Sequence, residues 1–368
     1  MTAEAAAHNT EVLKRFDCNL ATAIDGSPGT HANYGSGDHP REQLCTLLGH
    51  HPSWLELQDD ILYGIAYPLE ANITEKARKE MLKANLDGGG NTVKVCGACE
   101  RTLLEGAYRR KQRGRRQSIR RCEECVAEGH KLVLMKKGRE RPEADECPIC
   151  YLPLPLDDQQ SWFQTCCMKA VCEGCILAAE KRGMFDCPFC RAPSPDYSEV
   201  IPMIQNRVDA GDPVAISQLG NKYRSGEYGL VKDVTRAVEL YERAAELGVK
   251  EAHYCLGFLY SKGKDVEKDT AKAIRHYEAA AMKGDVQARH NLGTEEGKAG
   301  NHDLALQHYL MAAKMGHQNA LNAVKGLFTR GYATKADYAA ALRGYQSAVE
   351  EMRSPDRDEA ERLKRVSE

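Results

Sequence analysis

Three absences narrow what this 368-residue chain can be. It has no apolar run near the roughly 20 residues that a membrane-crossing helix requires, so no membrane partner is expected. It has almost no net charge, −2 by formal count, so the overall balance names no partner. Its first residues, MTAEAAAHNTEVLKRF, show no basic start followed by an apolar core, so no secretory leader is expected there. Against these stands an abundance of 15 cysteines. Without a leader, so many thiols point to an intracellular, reducing compartment, cytoplasmic or nuclear, where they serve metals rather than disulfides. The odd count also fits a disulfide scaffold poorly.

The cysteines are concentrated. Cys147-Pro-Ile-Cys150 opens one segment and Cys187-Pro-Phe-Cys190 closes it, with Cys166-Cys167 and Cys172-Glu-Gly-Cys175 between them. A Cys-x-x-Cys turn sets two thiolates on one side of a tight loop, where both reach a single ion at Zn–S distances near ~2.3 Å, and two such turns close a tetrahedron. The eight cysteines therefore predict two structural zinc sites. Upstream, Cys96-Gly-Ala-Cys99 and Cys122-Glu-Glu-Cys125 predict a third, in a module over 96–141. Residues 101–141 carry 14 Lys and Arg against five Glu, which leaves the rest of the chain acidic. The run from Arg109 to Arg121 could neutralise phosphates of a nucleic acid, or be a solvated basic loop. Tyr108, at its head, is the only aromatic there, where single-strand binders usually offer several stacking platforms.

Residues 1–95 show no chemistry. Asp25 to Pro40 reads as a flexible linker, Ser53 to Glu56 has the spacing of a capping box before a helix, and Thr74 can cap a second helix that Asp87-Gly-Gly-Gly90 stops. Residues 192–206 are rich in proline and predict a linker. Beyond it the chain repeats. Ala215, Leu219, Gly220 and Tyr223 recur as Ala252, Leu256, Gly257 and Tyr260, and Ala237, Tyr241, Ala244, Ala245 and Gly248 recur as Ala273, Tyr277, Ala280, Ala281 and Gly284. A third copy places Glu296 where Tyr is expected, and a looser fourth ends the array. Apolar positions at i, i+4 and i+7 or i+8 form one helical face, and one helix pair cannot bury its face alone. The fold class is thus multidomain, with small zinc-stabilised modules followed by an all-α helical-repeat solenoid over 207–352 and a charged tail helix over 353–368. Alanines are expected to let the helices approach, tyrosines to fill gaps between pairs, and His308 to lie on a helix surface. No catalytic trio is visible in the array.

Two resemblances follow. The pattern L-G-x-x-Y-x-x-G…A-x-x-x-Y-x-x-A-A-x-x-G is similar to Sel1-like repeats, relatives of the tetratricopeptide repeat, which implies a surface for a protein partner. Residues 147–191 resemble a RING finger, which implies a cross-brace. Cys147, Cys150, Cys172 and Cys175 would hold one ion, and Cys187 and Cys190 a second with two ligands from the middle. The family's usual histidine is replaced by Lys169. Either both Cys166 and Cys167 compensate, or a three-ligand site is completed by water or another residue. The resemblance further implies a ubiquitin-conjugating enzyme as partner, with Ile149, Pro188 and Arg191 in contact with it and catalysis by positioning. Ala179 stands where many such fingers carry a large residue. The alternative is a non-catalytic adaptor.

Overall fold

The computed structural model describes residues 92–367. The linker at 25–40 and the helices expected after Ser53 and Thr74 lie outside the described residues. The basic module begins ahead of its first cysteine. Strand β1 (Val93–Val95) pairs antiparallel with β2 (Thr102–Leu104), and the short helices α1 (Arg110–Arg113), α2 (Glu123–Ala127) and α3 (Val133–Lys136) follow. The second cysteine-rich segment is a β-hairpin, β3 (Ser161–Gln164) and β4 (Lys169–Cys172), leading directly into α4 (Glu173–Glu180).

The expected linker over 192–206 is partly helical. Its last residues belong to α5 (Val200–Asp209), whose Val200, Ile204 and Val208 are buried against the first repeat. The spacing of four puts all three on one face, so α5 closes the open end of the array. Four helix pairs follow: α6 (Pro213–Ser225) with α7 (Val234–Glu246), α8 (Lys250–Lys262) with α9 (Thr270–Met282), α10 (Val286–Lys298) with α11 (His302–Lys314), and α12 (Gln318–Thr329) with α13 (Lys335–Glu351). The tail helix is α14 (Pro355–Ser367). Asp212, Asp233, Asp269 and Asp285 accept backbone amides of the first turns of α6, α7, α9 and α10, satisfying donors that a helix start leaves unpaired. Gly248, Gly284 and Gly316 follow the second helices at φ of 93°, 87° and 94°. That left-handed turn favours glycine.

The repeat motif has a steric cause. The tyrosines of the second helices fill a gap within each pair and also reach the next, Tyr241 beside Cys255 and Tyr277 beside Asn291. A Cβ built on Gly220, Gly257 or Gly293 would lie 2.8, 2.7 or 2.7 Å from the ring of Tyr241, Tyr277 or Tyr309 on the facing helix. The glycine of the first helix is the seat for the tyrosine of the second. Gly257→Ala is therefore expected to cost about 1–3 kcal/mol through overpacking, measured as a lower urea midpoint. An unchanged midpoint would mean that Tyr277 moves aside freely.

The cysteine-rich modules are packed on the array rather than strung ahead of it. Cys96, Tyr108, Cys122 and Leu134 share one core with Tyr277, Ala281 and Leu292. The chain after α3 then crosses the helix ends of successive repeats. Arg289 on α10, with no exposed surface, donates to the carbonyls of Leu134 (2.8 Å), Lys137 (2.8 Å), Gly138 (3.1 Å) and Ala281 (2.6 Å). Further on, Asp145 pairs with Lys250, and Leu156 packs beside the core of the last repeats.

Arg116 makes the ionic contact of this interface that reaches two carboxylates. Its Nε donates to Glu278 (2.8 Å) and its Nη2 to Glu296, while the Ser118 hydroxyl donates to Glu278 (2.7 Å). Glu296, which breaks the tyrosine pattern of the third copy, is 2% exposed and also accepts from Asn301. The position is acidic because a cation from another module enters there. Burial works against the Arg116 charge, but Glu278 and Glu296 outweigh it and hold the guanidinium protonated. His308, expected on a helix surface, is fully buried in α11. Desolvation, with Arg289 and Arg116 nearby, keeps it neutral.

Candidate metal centres

Three Cys-x-x-Cys segments fold into the same turn. The amide of the residue after the second cysteine donates to the carbonyl of the first: Glu100 to Cys96 (2.8 Å), Tyr151 to Cys147 (2.9 Å) and Arg191 to Cys187 (2.9 Å). The amide of the first cysteine donates onward to Arg101 (3.0 Å), Leu152 (2.9 Å) and Ala192 (2.9 Å). Glu100, Tyr151 and Arg191 accordingly sit at φ of 59°, 57° and 63°, a left-handed conformation that non-glycine residues rarely adopt. This winding turns both sulfurs of each pair toward one point.

The remaining cysteines are placed by helices and a hairpin. Cys122 immediately precedes α2, which contains Cys125, and Cys172 immediately precedes α4, which contains Cys175. The free amides of a helix start favour a thiolate. Cys166 and Cys167 lie in the β3–β4 turn, and Met168 after them takes φ of 55°.

The sulfurs form three groups. Cys96, Cys99, Cys122 and Cys125 make one, Cys147, Cys150, Cys172 and Cys175 a second, and Cys166, Cys167, Cys187 and Cys190 a third, with the ligand atoms of each within 4.8 Å of one another. The second and third interleave along the chain. Both members of the doublet point to one centre, while Lys169 is exposed. An ion with four bonds of ~2.3 Å sets its ligands about 3.8 Å apart. Cys150 and Cys172 are 3.8 Å apart, and Cys167 and Cys187 are 3.9 Å apart. The described cysteines are all free thiols. Each group thus has the donor set and spacing to hold a metal ion such as zinc.

The electrostatics point the same way. The hydrogen bond from Cys172 outweighs burial and lowers the Cys147 thiol to about 4. Burial pushes Cys175 up to about 12 and Cys167 up to about 11. One thiolate in a small apolar space resists the next, and a divalent cation removes that conflict. The third group is the most open, since Cys190 is exposed.

The other candidate residues separate. Ile149 is half-buried beside Cys147, Val171 and Cys172, and Pro188 is half-buried in its turn. Arg191 is exposed and touches the Met184 sulfur. Ala179 is buried in α4. Around them Tyr151, Phe185 and Phe189 are exposed, at 73%, 77% and 43%. The basic run is divided. Arg109, Arg110, Lys111 and Arg115 face solvent, Arg113, Arg120 and Arg121 donate to backbone carbonyls, and Arg116 is committed to the array. Tyr108 is fully buried and donates to the Lys94 carbonyl (2.7 Å), so it is no platform for a base. His130 comes 3.4 Å from the Cys125 sulfur without joining the four-sulfur group.

Sequence reasoning missed the partners of the finger that come from the helices flanking the array. Arg207 of α5 donates to the Cys166 carbonyl (3.0 Å), and Arg357 of α14 donates to the Cys150 sulfur (3.3 Å). Neither has a local signal, because the contacting residues are 41 and 207 positions apart. The histidines of the array, scattered in sequence, meet across helices. His253 and His276 approach to 3.2 Å between ring nitrogens, and the rings of His290 and His317 stack at 4.5 Å.

Residues 213–249, 250–285 and 286–317 match the Sel1 repeat family. The first three helix pairs of the array are Sel1 repeats. Among solved structures, a Sel1 repeat protein from Oxalobacter formigenes is similar over 48% of this chain and 71% of its own, at 27% identity and a TM-score of 0.39. The antigen c5321 of uropathogenic Escherichia coli, which displays an SLR fold, is similar over 50% of this chain and 38% of its own, at 22% identity and a TM-score of 0.39. The immunity protein Pa5087 from Pseudomonas aeruginosa is similar over 57% of this chain and 72% of its own, at 22% identity and a TM-score of 0.31. No curated protein matches the chain at a significant level. The Sel1 repeats point to protein–protein interaction. Among the described residues, no helix is long and apolar enough to cross a membrane.

Proposed function

We propose that the protein is a zinc-binding, RING-type component of a ubiquitin-conjugation pathway in the cytoplasm or nucleus. Residues 147–191 would bind a ubiquitin-conjugating enzyme, and the Sel1 repeats a protein partner. The observation that supports it is the interleaving of Cys147/Cys150/Cys172/Cys175 with Cys166/Cys167/Cys187/Cys190, the cross-brace that the RING resemblance implies. On that frame Ile149 offers an apolar contact between two ligands, and Pro188 flanks it. Arg191, directly after the last ligand, offers planar donors able to bridge an enzyme and its ubiquitin cargo. Such a finger performs no covalent step itself; it holds a reactive thioester in pose.

The test is autoubiquitylation of the full chain with a panel of conjugating enzymes, beside Ile149→Ala and Arg191→Ala. Transfer reduced about tenfold or more by either change is expected. A second, non-catalytic reading draws on Ala179, a small buried side chain where an enzyme-binding groove usually carries a large one. Absence of transfer with every enzyme, or transfer indifferent to both substitutions, selects that adaptor.

A further inference from the structure

We propose that Arg357, on the C-terminal helix, is the outer-shell cation of the Cys147–Cys150–Cys172–Cys175 centre, so that metal loading and docking of that helix form one linked equilibrium. The inference rests on the metal-binding reading above and goes beyond it by adding a residue and a coupling.

The guanidinium is nearly enclosed, at 9% exposure for the residue. Nη1 donates to the carbonyls of Pro153 and Met352, both at 2.7 Å. Nη2 donates to the Leu152 carbonyl and to the Cys150 sulfur, each at 3.3 Å. One planar group thus ties the strand leaving the first knuckle to the end of α13 and to a ligand sulfur. Four thiolates around a divalent ion leave a net charge of −2, and the interior offers little water to offset it. A fixed guanidinium supplies part of that charge and an N–H···S bond that orients the ligand. Lysine, with a compact ammonium and no fork, would supply the charge without the fourfold geometry.

The helix backbone is fitted to the same centre. Gly174 lies in α4 between ligands Cys172 and Cys175, and a Cβ there would come 2.6 Å from the Arg357 amide nitrogen and 2.8 Å from the Asp356 carbonyl carbon. Only a bare backbone lets α14 rest on that turn. The Ser354 hydroxyl accepts the Arg357 amide (3.3 Å), a Lys181–Glu359 ion pair (2.5 Å) holds one flank, and Lys364 donates to the Gln159 carbonyl (3.0 Å). The other interleaved group lacks this arrangement. Arg207 reaches the carbonyl of Cys166, not a sulfur.

Linkage makes the effect reciprocal: what loosens the ion loosens the helix, and the reverse. The experiment uses the full chain loaded with zinc. Ion release to a chromogenic chelator is followed together with site-resolved alkylation of the cysteines by mass spectrometry, for wild type, Arg357→Met and Arg357→Lys. Loss of an outer-shell partner typically weakens a site 10- to 100-fold. Arg357→Met is expected to speed alkylation of Cys147, Cys150, Cys172 and Cys175 by about that factor and to leave Cys96, Cys99, Cys122 and Cys125 at the wild-type rate. Arg357→Lys is expected to fall between, and it decides the matter should Arg357→Met fail to fold. Hydrogen exchange over 355–366 should rise when the same centre is stripped. Loss of tail protection with unchanged alkylation would overturn the proposal and leave Arg357 a mere anchor. A chain that takes up no metal would instead overturn the metal reading beneath it.

Discussion

Stripping the ions with a strong chelator is expected to unfold the cysteine-rich modules while the helices of 213–351 keep most of their far-ultraviolet signal. The finger has almost no apolar interior of its own. Its buried cluster consists of Cys147, Val171 and Cys172, with partly buried neighbours. A segment so small cannot offset its chain entropy by burial, whereas a structural zinc site contributes on the order of 10–16 kcal/mol to folding. The array has its own cores, centred on Ile216, Leu240 and Leu256 and on Ala312, Val324 and Leu327. Release is expected in order, with the Cys166/Cys167/Cys187/Cys190 group first because Cys190 is exposed and the others better covered. Cys172→Ser should act in the same direction, since it removes a buried ligand. The array should not escape untouched, because Tyr277, Ala281 and Leu292 share a core with the upstream module. Metal content, circular dichroism and hydrogen exchange on one sample check this. A metal-free chain with full protection over 92–191 would refute it.

Arg116→Ala is expected to destabilise the interface between the basic module and the array by about 3–5 kcal/mol, the usual cost of leaving a buried charge unpaired. Two carboxylates would be stranded, Glu278 and Glu296, and Glu296 has a side chain only 1% exposed. Burial already pushes Glu278 upward, with Arg116 and Ser118 pulling it back. Without the guanidinium the upward push of burial on the Glu278 carboxyl loses its main opponent, so the variant's deficit should shrink as pH falls. The sign follows from linkage: a group whose folded pKa is raised lends stability below its unfolded value and loses it as pH rises through the folded one. Arg116→Ala combined with Glu296→Gln should be milder than Arg116→Ala alone, because one stranded charge is gone. Denaturant unfolding at two pH values measures both effects. Equal stability of wild type and Arg116→Ala would show that the modules do not dock through this residue.

These two expectations mark the boundary between local and long-range information. The Cys-x-x-Cys knuckles were legible because their geometry closes within six residues, from the Cys96 amide to the Arg101 carbonyl. The Sel1 repeats were legible because apolar helix faces and the glycines between helices recur at similar spacing along the chain. The same locality explains the errors. Val200 and Ile204 were hidden in a stretch rich in proline, and His308 looked like a surface residue because nothing beside it in sequence reveals that the module's cations lie close by. Glu296 looked like a defect in the third repeat, although it is the seat of Arg116 from 180 residues away.

By itself the sequence determined the elements: Cys-x-x-Cys pairs clustered for metal, and an all-α array carrying Sel1 repeats. Only the tertiary structure decided that the modules pack on the array through Arg116 and Arg289, and that the two ends of the array meet the finger through Arg207 and Arg357. The reason is physical. A knuckle or a helix face is specified by neighbours a few bonds apart, whereas a guanidinium finds its carbonyls and sulfur only after burial has brought distant segments together and made an unpaired polar group costly.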